Sequence, residues 1–182
     1  MDIDERYELI ADKIEKANRK GIKILWLCDQ PKYCSDSQLR LKERFAYNEI
    51  TEEELQEGLR IVQTTKEFYI NYFEYVASVF GVKCDKVVRD INGIEEVTYK
   101  NFDIDEDKYR IDDESYLNNI QKCLDYLLSL DDKYSDAYFR INNAFFGLLV
   151  ELLVYKRIDE KELDNLKDKL KDNLYKGGET IK

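Results

Sequence analysis

Between Asp103 and Glu114 the chain reads DIDEDKYRIDDE, and its carboxylates fall at a spacing that can hold a hard cation. With Asp103 at position 1 of a calcium loop, Asp105 stands at 3, Asp107 at 5 and Glu114 at 12, which are oxygen-ligand positions of an EF-hand. Two positions oppose that chemistry. Lys108 occupies position 6, where the sharp turn needs Gly, and Arg110 occupies position 8, where an apolar residue normally packs. The segment before the run also reads as strand rather than helix. Against calcium binding stands a plainer expectation: a solvated acidic connector whose carboxylates favour the N-terminus of the next helix.

The other reactive side chains narrow the chemistry further. The chain has no histidine, which removes histidine general bases, Ser-His and Cys-His nucleophile pairs and histidine-ligated zinc. No P-loop or Gly-rich nucleotide loop is present. The four cysteines, Cys28, Cys34, Cys84 and Cys123, lack the close spacing of a tetrathiolate zinc site. Cys123 lies in an apolar helical stripe, where a thiol acts as a small hydrophobe. Cys34, on a turn-rich stretch near Lys32, is expected to be the exposed thiol. Glu151 interrupts an apolar run and is expected either on a solvent-facing line with Arg140 and Gly147 or paired with a base. No catalytic residue, cofactor or firm metal site follows, and the expectation is a non-enzyme.

Charge and aromatic content point to a surface instead. There are 39 Asp and Glu against 29 Lys and Arg, a formal net charge of -10, and 14 tyrosines. An acidic chain is repelled by nucleic acid and anionic lipid and attracted to basic proteins, while exposed Tyr anchors interfaces. Tyr99, Asp103, Asp105, Glu106, Asp107, Tyr109, Asp112 and Asp113 are therefore the candidate partner-binding residues. The expected partner is a basic protein, with no direct nucleic-acid or membrane binding. The charged N-terminus has no secretory character, and the expected setting is the cytoplasm with reduced thiols. The function expected is an acidic protein-binding module that inhibits or regulates a basic partner. A phage or mobile-element anti-defence inhibitor and a toxin-immunity protein are examples. The alternatives are a self-associating helical scaffold built on a Leu163–Leu166–Leu170–Leu174 stripe, and a small-molecule or calcium binder at the acidic segment.

The elements that must position these residues are mostly helical, as the low Pro and Gly content favours. Tyr7, Ile10, Ile14 and Ala17 predict a helix over 4–20. Ile22 to Cys28 (IKILWLC) reads as a short buried strand, 29–36 as a loop around Pro31, and 37–48 as a helix. Thr51 and Glu54 form a capping box opening a long helix to Phe80, with a bend expected at Thr64-Thr65. Asn92-Gly93 between two alternating runs predicts a type I′ hairpin over 86–99, pairing Val88 with Val97 and Arg89 with Glu96. A helix from Asp113 or Ser115 to Leu130 follows. The apolar segment 135–157 is capped by Ser135 and needs cover on most sides. Past a corner at 156–159, Asp159 and Glu162 cap the last helix. The expectation is a mainly α, single-domain bundle of about six helices over 1–176, with a small hairpin, one further strand at 22–28 and a frayed tail at 177–182.

Overall fold

Leu27, Pro31, Cys34, Ser35 and Gln38 are buried at steps of three and four, a helical period that runs straight through the only proline. In the computed structural model, which describes residues 24–104 and 113–175 together with Asp4, Glu5, Glu8 and Asp12, they lie on one helix, α1 (Ile24–Ala46). The expected strand at 22–28 and loop at 29–36 are thus corrected. Residues 24–36 are helical, and 22–23 lie outside the described residues. Pro31 costs the helix one backbone bond, to the carbonyl four residues earlier. The burial of its neighbours against the next helix outweighs that loss. Of the expected N-terminal helix, Asp4, Glu5, Glu8 and Asp12 are helical and exposed; its apolar residues lie outside the described ones.

The described chain is mainly helical, with five α-helices and one two-stranded antiparallel hairpin, and its contacts divide it into two compact units, Met1–Tyr109 and Arg110–Lys182. In the first, α2 (Glu52–Val79) is capped by Thr51, whose hydroxyl accepts from the Glu54 N–H. The helix is continuous through Thr64 and Thr65. Both hydroxyls donate back to carbonyls one turn earlier, Arg60 and Ile61, so neither residue breaks it. Strands β1 (Val82–Ile91) and β2 (Ile94–Ile104) pair in the expected register, Val88 with Val97 and Arg89 with Glu96. Asn92 and Gly93 both take positive φ, 51° and 82°, as a type I′ turn requires. The register slips once, between Lys83 and Asp85, and Asn101 opposite takes a φ of 56°, the signature of a bulge.

A buried lysine joins these pieces. Lys66 of α2 is 2% exposed. Its ammonium donates to the Gln38 Oε1 of α1 at 2.6 Å, to the Glu95 carbonyl of β2 at 2.8 Å and to the Ser35 Oγ at 3.4 Å. Ser35 in turn donates to the same Glu95 carbonyl at 2.9 Å. At the turn, the Lys42 ammonium of α1 donates to the Asn92 carbonyl. The hairpin is thereby held on the helices, as an otherwise marginal two-stranded ribbon must be.

The second unit holds α3 (Asp113–Leu128), a 3₁₀ turn (Asp132–Ala137), α4 (Tyr138–Val154) and α5 (Glu160–Leu174). The cap before α4 differs from expectation. Asp131 caps the 3₁₀ turn, and α4 itself starts after Ala137 with no side-chain cap. Asp159 caps α5 by accepting from the Glu162 N–H, and the corner before it places Lys156 at a φ of 57°. Ile141, Phe145, Leu148, Leu149 and Leu152 of α4 are buried in the unit that α3 and α5 complete. Leu170 and Leu174 are fully buried as well. The C-terminal half of the leucine stripe is thus spent inside its own unit, while Leu163 and Leu166 are half-buried. By length and composition, Asp132–Val154 is apolar enough to cross a membrane, a property that the core helix of a soluble protein shares.

Replacing Lys66 by Met keeps the stem's volume but leaves the Gln38 oxygen without its donor. Urea unfolding of Lys66→Met is expected to show a loss of about 1–3 kcal/mol, with faster amide exchange at 94–97 than in the native protein.

Candidate functional site

Residues 53, 57, 60, 64, 67, 71 and 74 fall on one side of α2 by helical spacing, opposite the buried Leu55, Tyr69, Phe73 and Val76. That outer side is exposed and acidic: Glu53, Glu57, Glu67 and Glu74 lie along it, with Glu52 and Glu54 in the first turn. Arg60 is the exposed base of this helix and is held by Glu57 at 2.6 Å; the other cation, Lys66, is buried. From Glu53 to Glu74 the face runs about 30 Å at the α-helical rise. These glutamates are not among the residues expected from sequence. Their spacing, out of phase with the apolar stripe of the same helix, was the available signal.

At its far end the face meets Tyr99. This expected partner-binding residue, half-buried on β2, donates its hydroxyl to the Glu74 Oε1 at 3.1 Å, and the Lys86 ammonium lies 3.0 Å from the same oxygen. Burial, reinforced by the Glu74 carboxylate, pushes the Tyr99 phenol well above its usual range. A cleft of about 420 Å³ opens here, lined among others by Phe73, Glu74, Lys83, Cys84, Lys86 and Tyr99. Its acid and Lys86 are satisfied by each other.

Asp103 is exposed near the end of β2, paired in register with Lys83. Asp113 begins α3. Asp105, Glu106, Asp107, Tyr109 and Asp112 lie outside the described residues. Glu114, the proposed twelfth ligand of a calcium loop, engages both carboxylate oxygens with the Arg157 guanidinium, one of them at 3.1 Å from Nη1. That occupancy opposes a ligand role. No group of three or more metal-binding side chains occurs among the described residues.

Ser35 and Lys66 have the residue types of a nucleophile and its base. Ser35 is 0% exposed, so no substrate reaches its hydroxyl, and the pair is structural. Desolvation holds the Lys66 ammonium below its usual pKa, against the opposing pull of Glu95. Glu151, half-buried, accepts the Tyr116 hydroxyl at 2.9 Å and so pairs with a phenol rather than a base. Cys34 is buried, contrary to expectation, because the segment carrying it is helix rather than loop. Compared with protein-family models, curated proteins and solved structures, the chain matches none.

The thiols supply a test of this geometry. Burial, then the Asp29 carboxylate, pushes Cys28 up to about 12, and burial pushes Cys123 to about 12. Iodoacetamide at neutral pH is expected to modify half-buried Cys84 first, and Cys28, Cys34 and Cys123 only in denaturant. Both thiols titrate higher folded than unfolded, where the ordinary value is 9.0. The stability they contribute is therefore complete below that value and is lost as pH rises toward about 12. A stability-against-pH curve for Cys28→Ala is expected to fall less steeply there than the native one.

Proposed function

We propose that the chain is a non-enzymatic protein-binding module that holds a basic protein partner against the glutamate face of α2 and regulates it by occupying that partner's basic surface. The observation that carries this reading is the charge pattern of one rigid element. Glu52, Glu53, Glu54, Glu57, Glu67 and Glu74 are exposed on α2 with Arg60 as its exposed base, in a chain whose net charge is already -10. Such an array raises the local potential along a straight line and steers a basic surface toward it. A partner that acts on nucleic acid fits, since its own substrate groove is basic. Tyr99, at the end of the face, adds aromatic area beside Glu74. For the alternative of a self-associating scaffold the stripe offers only the half-buried Leu163 and Leu166, since Leu170 and Leu174 are buried inside their own unit.

The test is capture from the native host at low salt, identification of the co-purifying protein, and titration of that purified partner. The triple variant Glu53→Lys, Glu57→Lys, Glu67→Lys is expected to bind about tenfold to a hundredfold more weakly at low ionic strength, the difference shrinking as salt rises. Binding that ignores both the triple reversal and salt overturns the reading.

A further inference from the structure

The hairpin turn sets opposite charges at the two ends of one peptide group. Asn92 and Gly93 are exposed, and the group joining them presents the Asn92 carbonyl on one side and the Gly93 N–H on the other. The Lys42 ammonium of α1 donates to that carbonyl at 2.5 Å. On the opposite side, the Gly93 N–H donates to the Asp90 Oδ1 at 3.1 Å. Gly93 serves the first contact as well as the turn, where its φ is 82°. A Cβ added to it would stand 3.2 Å from the Lys42 Nζ. The turn itself needs neither charge, since Asn-Gly already fits the type I′ geometry.

The two contacts act in the same chemical direction. An ammonium at a peptide oxygen stabilises the negative charge that develops there as the nitrogen loses its proton. A carboxylate at the N–H is placed to accept that proton. A peptide nitrogen relieved of its proton is a nucleophile, and an electrophile lies in the same residue pair. This is the Cγ of the Asn92 carboxamide, which closes a five-membered ring with the Gly93 nitrogen. Asn92 is exposed, so its side chain turns toward that nitrogen without leaving a packed site, and Gly93 carries no side chain to obstruct the ring. Asn92-Gly93 is also the only Asn-Gly pair in the chain.

We propose that this turn is a self-modification site, in which Lys42 and Asp90 promote deamidation of Asn92 in the folded chain. The Gly93 N–H proton passes to Asp90 and the bond from the Gly93 nitrogen to Cγ forms. The bond from Cγ to the side-chain nitrogen then breaks, and that nitrogen leaves with the proton as ammonia. The succinimide takes up water at either of its carbonyls and opens to aspartate or isoaspartate at position 92. Water is the only co-reactant. Both products place a new carboxylate on the residue that Lys42 contacts. In isoaspartate the main chain also runs through the former side-chain carbon, and a two-residue type I′ turn does not accommodate the extra backbone bond. The modification therefore acts on the contact between the hairpin turn and α1, and it does not depend on the glutamate face of α2.

The test incubates the full chain at neutral pH and one temperature, folded in buffer and unfolded in urea. Peptide mapping by mass spectrometry follows the conversion of Asn92, and methylation by an isoaspartyl methyltransferase identifies the isoaspartate product. Asn92 is expected to deamidate about tenfold faster in the folded chain than in the unfolded one. Lys42→Met and Asp90→Ala are each expected to bring the folded rate down to the unfolded rate or below it, with the unfolded rate unchanged. Lys42→Arg, which keeps the cation, is expected to retain the faster rate. Amide exchange at 94–97 checks that the hairpin stays paired in each variant. A folded rate equal to or below the unfolded one overturns the proposal and makes the fold a protector of Asn92. A folded rate that Lys42→Met leaves unchanged overturns it as well.

Discussion

One ammonium group, cut off from water, ties the first unit together. Lys66 is hydrogen-bonded by a side-chain amide, a hydroxyl and a main-chain carbonyl from α1 and β2, which solvate its charge, while the Glu95 carboxylate acts on it from outside that shell. Burying a cation with no carboxylate in direct contact is expensive unless the hydrogens it offers are used, and here three oxygens accept from it. The arrangement is directional where apolar packing is not. A hairpin sliding by one residue past α1 would present the wrong main-chain group to Lys66 and would turn the buried Val97 to the opposite face. Register, helix contact and burial are thus enforced by the same few atoms.

That centre was not legible beforehand, and the reason is physical. In the sequence Lys66 interrupts an apolar period, and an interruption by lysine reads as a solvent-facing position. The hairpin register, by contrast, followed from Asn92-Gly93 alone, because only that turn fits the twist of the flanking strands. Thr51 and Asp159 announced their helices through local hydrogen bonds that need no tertiary context. Pro31 misled for the opposite reason. Its local penalty is real, but burial along α1 outweighs it, and Ser35 and Gln38 disguised the helical period by being polar and buried at once. Of the candidate site, Tyr99 was found and the α2 glutamates were not. Composition drew attention to the densest acidic run, while a face on a helix is visible only when residues are read at its own period.

The two units present contrasting surfaces. The outer side of α2 is a row of carboxylates on a helix whose other side carries the buried Leu55, Tyr69, Phe73 and Val76. The outer side of α4 is aromatic and aliphatic, with the Lys167 ammonium over the Phe146 ring. Salt governs the first, because exposed charges are screened within about a Debye length. Covering the second would gain free energy chiefly by removing apolar area from water.

The bond from Ser35 to Glu95 spans 60 residues of chain, and that separation has a kinetic meaning. The α1–α2 pair and the hairpin are each made from neighbours in sequence, and both can form by short loop closures. Joining them closes the long loop, whose entropic cost grows only with the logarithm of its length. Desolvating an ammonium is worthwhile only once all of its acceptors are in place. The Lys66 cluster therefore belongs to the last step of assembly rather than to its nucleus. It acts as a latch on the finished unit, governing how long the fold persists more than how fast it is reached.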